Sequence, residues 1–523
     1  MMKRQGQALA PRTSWQLSDL LAGFAPMGEG KDLRISGLAL DSRLIQPGWL
    51  FVACRGDAQH GLDFAAEAKR RGAVAVIGEP DDQWDEAAMS DLSASLGLPV
   101  ITMPALRGRA SLLADRFYGE PSHHLQVMGV TGTNGKTSVT HFIAQALTTE
   151  MRCGVIGTLG MGFPDDLEPG IYTTPDPILL QSTLARLREQ GAGAVAMEVS
   201  SHALVQDRTA GVRFSHAIFT NLTRDHLDYH GDMVTYGRAK RRLFQSPGLV
   251  WAILNLNDPL SGTILGDLAT SVRVGGYTAD ASIKIPAACE LWVRLIQITP
   301  LPDGMKLLID TSLGQAILEL GLIGHFNAAN VMAVLLVLVS RGMGLSQACG
   351  ALNKIRGVPG RMERFGGAGA PIVVVDYAHT PDALEQALVN LRPHAKRRLI
   401  CVFGCGGDRD VGKRPLMGAV AENLADLVIL TDDNPRSENG HAIIDQILSG
   451  MNQPRHALVE RRRGLAIRHA IAIAHRDDLV LVAGKGHETT QNLGDHKLHF
   501  SDRAQVQQAL AERIRSPSLE ALA

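Results

Sequence analysis

In Leu125-Gln126-Val127-Met128-Gly129-Val130-Thr131-Gly132-Thr133-Asn134-Gly135-Lys136-Thr137-Ser138-Val139-Thr140 an apolar run of strand length enters a Gly-rich turn. The turn delivers Lys136 and Thr137 to the start of an apolar-patterned helical segment from Val139 to Leu147. Gly132 and Gly135 permit the backbone angles that aim several N–H groups at phosphate oxygens, and the helix N-terminus adds positive potential. Lys136 supplies a charge and Thr137 a hydroxyl for Mg²⁺, so the stretch reads as a strand, phosphate loop and helix that bind a nucleoside triphosphate. The strict G-x-x-x-x-G-K-[ST] pattern is missed, because position 130 is Val and Gly129 sits one residue early. A plain Gly-rich turn with a surface lysine is the competing reading, and the strand and helix context argues against it.

Bulk properties frame this motif. A chain of 523 residues has room for about three domains. Lys plus Arg (52) nearly cancel Asp plus Glu (53), which leaves no global field for nucleic acid or an anionic membrane. The longest apolar run, Val331 to Val339, is too short to span a bilayer, and no apolar segment follows the basic residues of the first seven positions. A soluble cytoplasmic protein acting on small molecules is expected. The six cysteines, of which only Cys401 and Cys405 are close, form neither a disulfide framework nor a zinc spacing, and all six are expected to be reduced.

Upstream of the loop, strand-like Ile35 to Leu40, Gly48 to Ala53 and Ala73 to Ile77 alternate with a helix from Gly61 to Arg71, a small α/β domain over 1–104. Its polar loops, Asp41-Ser42-Arg43 and Arg55 to Gly61, follow strands; each alone reads first as a plain turn. A linker helix, Leu106 to Tyr118, ends at Gly119-Glu120-Pro121, so the central nucleotide domain is expected over 105–358. Within it, Gly191 to His202 is a buried parallel strand carrying Glu198 near its C-terminal end, on the sheet edge shared with the phosphate loop and well placed for Mg²⁺. A second strand, Ala217 to Thr220, opens into Asn221 to Gly231, where two Asp and two His lie within six residues; a metal or substrate role is favoured over a solvated loop. Lys240, in Arg238-Ala239-Lys240-Arg241-Arg242, reads from spacing alone as part of a basic helical face in solvent. Strands and turns continue from Trp251 to Gly321, and a helix runs from Gly324 to about Ser340.

A composition break at Gly357 to Glu363 marks a second hinge and opens a C-terminal domain over 359–523. There Pro371 to Val375, Arg398 to Phe403, Leu427 to Leu430 and Leu479 to Ala483 are strands that each end in a polar or Gly-rich loop. Four such loops at one end of a parallel sheet build a site in a doubly wound, Rossmann-like domain.

Thr131 to Thr137, Met197 to His202, Asn221 to Gly231, Asp376 to Asp382 and Asp433-Asn434-Pro435-Arg436, in this order, resemble the motifs of the Mur ligases of peptidoglycan synthesis, over nearly the whole chain from about residue 40 to 503. The resemblance implies an α/β protein of three domains: one for the UDP end of the acceptor, a central P-loop ATPase with a mostly parallel sheet, and a C-terminal Rossmann-like domain for the incoming amino acid. It implies that the D-Glu γ-carboxylate of UDP-N-acetylmuramoyl-L-alanyl-D-glutamate attacks the γ-phosphate of ATP, and that an amine of meso-2,6-diaminopimelate then displaces phosphate. Cationic positioning should dominate such catalysis.

Carried onto this sequence, the resemblance makes Gly132, Thr133, Asn134, Gly135, Lys136, Thr137 and Ser138 the ATP loop, with Asn327, Asn330, Arg361 and Asp376 at adenine and ribose. Lys136, Glu198, His226 and Lys240 become catalytic; Thr137, Glu198, His226 and Lys240 hold two Mg²⁺ ions, Lys240 as a CO₂-derived carbamate (N6-carboxylysine), because a bare ammonium would repel the metal. Leu40, Ser42, Asp57, Ala58 and Gln59 lie near uridine, and Tyr172, Thr173, Thr174, Ser200, Gln206 and Arg208 along the sugar-peptide; Asp57 stands where His is usual and Tyr172 where Asn is common. Arg409, Asp433, Asn434, Pro435, Arg436, Gly484 and Glu488 take diaminopimelate, whose extra carboxylate suits the Arg436 fork. Lysine-adding relatives lack this Arg. A folylpolyglutamate synthetase would share the ATPase core without the uridine loops, and a nucleotide switch without ligation is the alternative from another class. No nucleic acid, no membrane insertion and a monomeric chain are expected.

Overall fold

The computed structural model describes residues 14–25, 32–56, 59–301, 304–367 and 369–515. Among the described residues the chain forms three α/β domains, each around its own main sheet. In the first, β1 (Gly37–Ala39), β2 (Trp49–Ala53), β3 (Ala75–Gly78) and β4 (Val100–Thr102) pair in parallel in that order. All five residues of β2 are buried, as a parallel strand covered on both faces requires. Helix α1 (Leu106–Phe117) turns Leu106, Ala110, Leu113, Ala114 and Phe117 into the same core as Leu17, Leu38 and Leu50. The segment expected as a linker is therefore packed on the N-terminal sheet, and it also grips the central domain: the Ser111 hydroxyl donates to the Arg208 carbonyl at 3.0 Å and accepts from the Gly211 N–H at 2.9 Å.

The central sheet has eleven strands among the described residues. In chain order they are β5 (Gln126–Thr131), β6 (Cys153–Gly157), β7 (Gly160–Phe163), β8 (Asp166–Glu168), β9 (Ala194–Glu198), β10 (Phe214–Phe219), β11 (Trp251–Asn255), β12 (Arg273–Thr278), β13 (Cys289–Leu301), β14 (Gly304–Thr311) and β15 (Gly314–Leu320). Their spatial order is β8-β7-β6-β9-β5-β10-β11-β12-β13-β14-β15; β6 through β13 run parallel along this order, and the pairs at both edges are antiparallel. The phosphate-loop strand β5 is thus central, with the Glu198 strand β9 on one side and β10 on the other. Helix α2 (Lys136–Leu147), α3 (Met233–Arg241) and α4 (His325–Ser340) follow. Val139, Phe142 and Ile143 of α2 share a core with Val331, Met332 and Leu335 of α4, which explains why α4 is apolar nearly all round.

The third sheet contains β16 (Glu363–Gly366), β17 (Ile372–Asp376), β18 (Leu399–Phe403), β19 (Leu427–Leu430), β20 (Leu458–Val459) and β21 (Leu479–Ala483), ordered β16-β17-β21-β18-β19-β20. Only β16 is antiparallel. The four expected strands form its contiguous parallel centre, so their loops do emerge together; the edge strands β16 and β20 were not anticipated.

Behind β21, Arg463 and Asp502 are both fully buried, and the guanidinium meets the carboxylate with two bonds of 2.7 Å. A third bond of 2.8 Å runs from Arg463 Nη2 to the Ala483 carbonyl. Arg463→Met leaves Asp502 buried without its cation, and should lower the opening free energy of the β21 amides in hydrogen exchange by about 3–5 kcal/mol. A change within error of zero would mean that water replaces the guanidinium at no cost.

Candidate active site

The phosphate loop is sewn to the segment after β10. Thr220 Oγ1 donates to the Asn134 carbonyl at 2.6 Å, Asn134 N–H donates to Asn221 Oδ1 at 2.9 Å, and Thr133 N–H to the Asn221 carbonyl at 2.9 Å. Thr223 N–H returns the contact to Thr133 Oγ1 at 3.0 Å. Gly132 (φ +151°) lies so close that a Cβ there would overlap Thr220 Oγ1, and a Cβ on Gly135 (φ +86°) would come within 2.7 Å of Asn330 Oδ1. Lys136 Nζ curls over the loop and donates to the Gly132 and Thr133 carbonyls, both at 2.8 Å.

Glu198 emerges at the end of β9 with 1% exposure. Its carboxylate accepts from Thr158 N–H at 2.8 Å and Thr158 Oγ1 at 3.2 Å. The Thr158 hydroxyl lies 3.1 Å from that of Thr173, and Thr174 Oγ1 bridges the Glu198 carbonyl (2.9 Å) and the Ser200 N–H (3.0 Å). Thr173, Thr174 and Ser200 therefore meet at Glu198, and Thr158, which no motif or spacing singles out, orients the carboxylate. Burial lowers the Lys136 pKa, while the charges of Glu198 and Asp225 pull it back up.

Lys240 is not on a solvated face. Arg238 and Arg242 are exposed, but Lys240 is 1% exposed on the inner side of α3, because Tyr236, Gly237 and Ala239 pack inward with it. Its Nζ lies 4.2 Å over the Tyr236 ring, and Tyr236 OH is 3.2 Å from Thr133 Oγ1 of the phosphate loop. The ammonium makes no hydrogen bond or ion pair among the described residues. Burial drives its pKa well below the ordinary lysine value and the Lys136 charge pushes the same way; Asp225 and Asp258 oppose them. His226, at φ +53°, is half-exposed with Nε2 3.5 Å from Asp225 Oδ2, edge-on to His202 at 4.9 Å. Burial and the charges of Lys136 and Lys240 lower its pKa against the pull of Asp225. Lys136, Asp225, His226 and Lys240 thus lie within one another's electrostatic reach.

Across the seam to the C-terminal domain, Arg361 Nη2 donates to Thr137 Oγ1 at 3.3 Å while its guanidinium stacks 4.5 Å over Tyr377. Asn134 Nδ2 reaches Asp382 Oδ2 at 3.4 Å. Asp376 accepts from Met362 N–H at 2.7 Å, and burial raises its pKa against the charge of Arg361. Asn327 and Asn330 are buried one turn apart on α4. Two imidazole nitrogens beside Arg361, His141 Nε2 and His487 Nδ1, and its own Nε are buried without partners, and burial depresses both histidines to about 4.

At the C-terminal strand ends Asp433 and Asn434 are buried and Arg436 is half-buried. Arg436 holds φ +52°, unusual for a side-chain-bearing residue, with Nη1 donating to the Gly407 carbonyl at 2.6 Å. Asn434 Nδ2 donates to Glu488 Oε2 at 2.9 Å. Gly484 sits where a Cβ would overlap the Asp433 carboxylate. Arg409 is exposed and donates to the Asp408 carbonyl at 3.1 Å, its one hydrogen bond among the described residues. Pro435 is buried between Asn434 and Arg436.

On the acceptor side, Arg208 donates to Gln206 Oε1 at 2.9 Å and to the Thr174 carbonyl at 2.8 Å, with its guanidinium 5.0 Å from the ring of the exposed Tyr172. Ser42 donates to Glu67 at 2.8 Å, Leu40 is half-buried at the end of β1, and Gln59 is exposed. Asp57 and Ala58 lie outside the described residues. Among the described residues no three His, Cys, Asp or Glu side chains converge as a metal site. Nor is any helix long and apolar enough to cross a membrane.

Three family models match the chain: "Mur ligase family, catalytic domain" over residues 34–117, "Mur ligase middle domain" over 130–338 and "Mur ligase, glutamate ligase domain" over 360–486. A UDP-N-acetylmuramoyl-L-alanyl-D-glutamate--2,6-diaminopimelate ligase of Alkalilimnicola ehrlichii is 50% identical over 499 residues, covering 95% of this chain and 99% of the relative. The Coxiella burnetii ligase of the same name is 47% identical, covering 92% and 96%. A solved structure of a ligase so named superposes with a TM-score of 0.69 at 32% identity, covering 96% of this chain and all of the other.

Gly132→Ala forces a Cβ into Thr220 at a backbone angle that L-residues avoid. ADP affinity measured by calorimetry should fall by about 10–100-fold, from about 1–3 kcal/mol of loop strain, with the circular dichroism spectrum unchanged. Unaltered affinity would mean that the loop opens away from β10 without consequence for the nucleotide.

Proposed function

The chain belongs to the Mur ligase family, and from that premise we propose that it is the ATP-dependent ligase that joins meso-2,6-diaminopimelate to the D-Glu γ-carboxylate of UDP-N-acetylmuramoyl-L-alanyl-D-glutamate in peptidoglycan precursor synthesis. The observation that carries the reading is one frame holding two sites: the phosphate loop beside Glu198 and Lys240, and the Arg436 pocket, joined by the Arg361 bond to Thr137. The N-terminal domain, which α1 completes, the central domain and the C-terminal domain take the acceptor's UDP end, ATP and the amino acid respectively. The enzyme works as a cytoplasmic monomer on these small molecules.

The chemistry proceeds in two steps. The γ-carboxylate attacks the γ-phosphorus and ADP leaves, giving an acyl phosphate; the amine then attacks the acyl carbon, an amide forms, and inorganic phosphate departs as the amine loses a proton. Both partners of the first step are anions. Lys136, withdrawn over the phosphate loop, and Arg361, beside Thr137, are the cations positioned to offset that repulsion. Gln206 and Arg208 hold the acceptor peptide, and Asn327, Asn330 and Asp376 the nucleoside. On the amino-acid side Arg436 takes the distal carboxylate of diaminopimelate, with Arg409, Asp433, Asn434, Gly484 and Glu488 around it.

The donor set fits Mg²⁺, provided Lys240 is modified. Thr137 and Glu198 would offer hard oxygen ligands and His226 a nitrogen, and a carbamate on Lys240 would turn the buried cation of this cluster into a further carboxylate ligand. A buried amine whose pKa is well lowered, with no hydrogen-bond or ion-pair partner among the described residues, is suited to be the neutral nucleophile that CO₂ requires: the nitrogen bonds to the carbon and releases a proton, leaving an anionic carbamate. Bound Mg²⁺, in two ions, would neutralise phosphate charge.

Two measurements test the reading. With ATP, Mg²⁺ and the UDP-muramoyl dipeptide, phosphate release should require diaminopimelate, and L-lysine should support turnover lower by about 10⁴-fold; comparable rates with both would overturn the specificity assigned to Arg436. Lys240→Ala should abolish turnover, and acetate should partly restore it by supplying the missing carboxylate; a variant that acetate never rescues argues against the carbamate.

A further inference from the structure

Lys485 has no place in the proposed contacts with diaminopimelate, yet it is among the most deeply buried charged side chains of the C-terminal domain, with 0% exposure. It lies between Gly484 and Gly486 on the loop after β21. Its Nζ donates to Glu488 Oε2 at 2.6 Å and to Asn434 Oδ1 at 3.1 Å. Asn434 Oδ1 also accepts from the Asn492 N–H at 3.0 Å, while Asn434 Nδ2 donates to the same Glu488 Oε2 at 2.9 Å. Every bond in this triangle has a defined sense. An ammonium can only donate, so the oxygen of Asn434 must face Lys485 and its NH₂ must face Glu488. The amide cannot flip without setting donor against donor.

We propose that Lys485 is a positioning residue for the incoming amino acid: it locks the Asn434 amide and the Glu488 carboxylate in one arrangement, leaving Glu488 Oε1 free to receive a substrate ammonium. Glu488 Oε2 is saturated by two donors, whereas Oε1 has no protein partner among the described residues. Burial works to raise the Glu488 pKa, but the charge and hydrogen bond of Lys485, with the Asn434 amide, outweigh it and keep the carboxylate ionised. A carboxylate that is both charged and fixed in orientation selects a cationic amine; without Lys485, Glu488 Oε2 would be held by the Asn434 amide alone and Asn434 Oδ1 by the Asn492 N–H alone, and the carboxylate would lose its ionic anchor. The inference rests on the reading of Asn434 and Glu488 as amino-acid contacts.

The test compares Lys485→Met, Lys485→Gln, Glu488→Gln and the double variant K485M/E488Q in the full-length enzyme, with steady-state KM measured separately for diaminopimelate, ATP and the UDP-muramoyl dipeptide. Lys485→Met should raise the KM for diaminopimelate by about 30-fold, because Glu488 Oε2 and Asn434 Oδ1 each lose one of their two donors and the carboxylate loses its cation, and leave the other two KM values within about twofold. Adding K485M to E488Q should cost far less than K485M alone, since Lys485 acts through Glu488. Lys485→Gln, which keeps one donor for Asn434, should fall between wild type and methionine, and it is read in place of Lys485→Met if that variant does not fold. A raised diaminopimelate KM in Glu488→Gln with none in either Lys485 variant overturns the positioning role while leaving the site intact. No change in any variant, Glu488→Gln included, would refute the site reading itself. A uniform loss in kcat and all three KM values would make Lys485 merely structural and overturn the proposal.

Discussion

The closeness of the phosphate loop to the segment after β10 is the constraint on which the rest of this structure depends. Gly132 allows the approach, and seven hydrogen bonds between 133–134 and 220–223 hold it. Because the two segments are sewn together, the chain that continues through Asp225 and His226 into α3 cannot drift from Lys136. The helix then turns Tyr236 back onto Thr133 and seats Lys240 behind it. A loop that merely bound phosphate would not need this; a loop that must share its charge field with a second set of groups does.

Buried charge is distributed unevenly around that frame. Arg463 has Asp502, Lys485 has Glu488, and Arg414, also buried, has both oxygens of Glu438 at 2.8 Å. Each of these cations is compensated in the folded chain, as burial of a full charge demands. Lys240 is buried as completely, and among the described residues it meets an aromatic face but no hydrogen-bond or ion-pair partner. An ammonium there is poorly stabilised, since a ring contact offsets far less than desolvation costs. The folded protein therefore disfavours the ammonium at Lys240, and that preference gives the proposed modification a physical basis independent of any resemblance.

The strand and helix framework was legible because parallel strands covered on both faces are continuous apolar runs ending in Gly-rich or charged loops. That signal located β5, β9, β17, β18, β19 and β21, and placed Glu198 and the four C-terminal loops at sheet edges. It failed for Lys240, since a run of four basic residues in five looks solvated unless the inward packing of Tyr236 and Ala239 is known. It also could not reveal Thr158 or Arg463, whose partners lie 40 and 39 residues away in sequence, nor the Lys485 bond to Asn434, 51 residues away. The short edge strands β16 and β20 were missed for a related reason: half-exposed, brief segments carry little periodicity. Helix α1 was misjudged as a connector because its apolar stripe says that one face is buried, not which domain buries it.

The five residues from Gly484 to Glu488 show why two distant sites can belong to one reaction. At one end Gly484 gives room to Asp433, and Lys485 fixes Asn434 and Glu488. Further along, the His487 ring packs 5.1 Å from Tyr377, whose ring also meets the Arg361 guanidinium that donates to Thr137. An acyl phosphate made on the central domain must meet an amine held by the C-terminal domain before water does, so errors in the relative placement of the two carriers translate directly into a longer reaction distance. A single loop whose side chains reach toward the amino-acid pocket and toward the phosphate loop removes one source of that error. The partnerless nitrogens of His141, Arg361 and His487 at the same seam are donors and acceptors that the protein alone leaves unsatisfied. Polar groups in that condition are costly in an interior, and they persist here at the place where the proposed nucleotide would supply their partners.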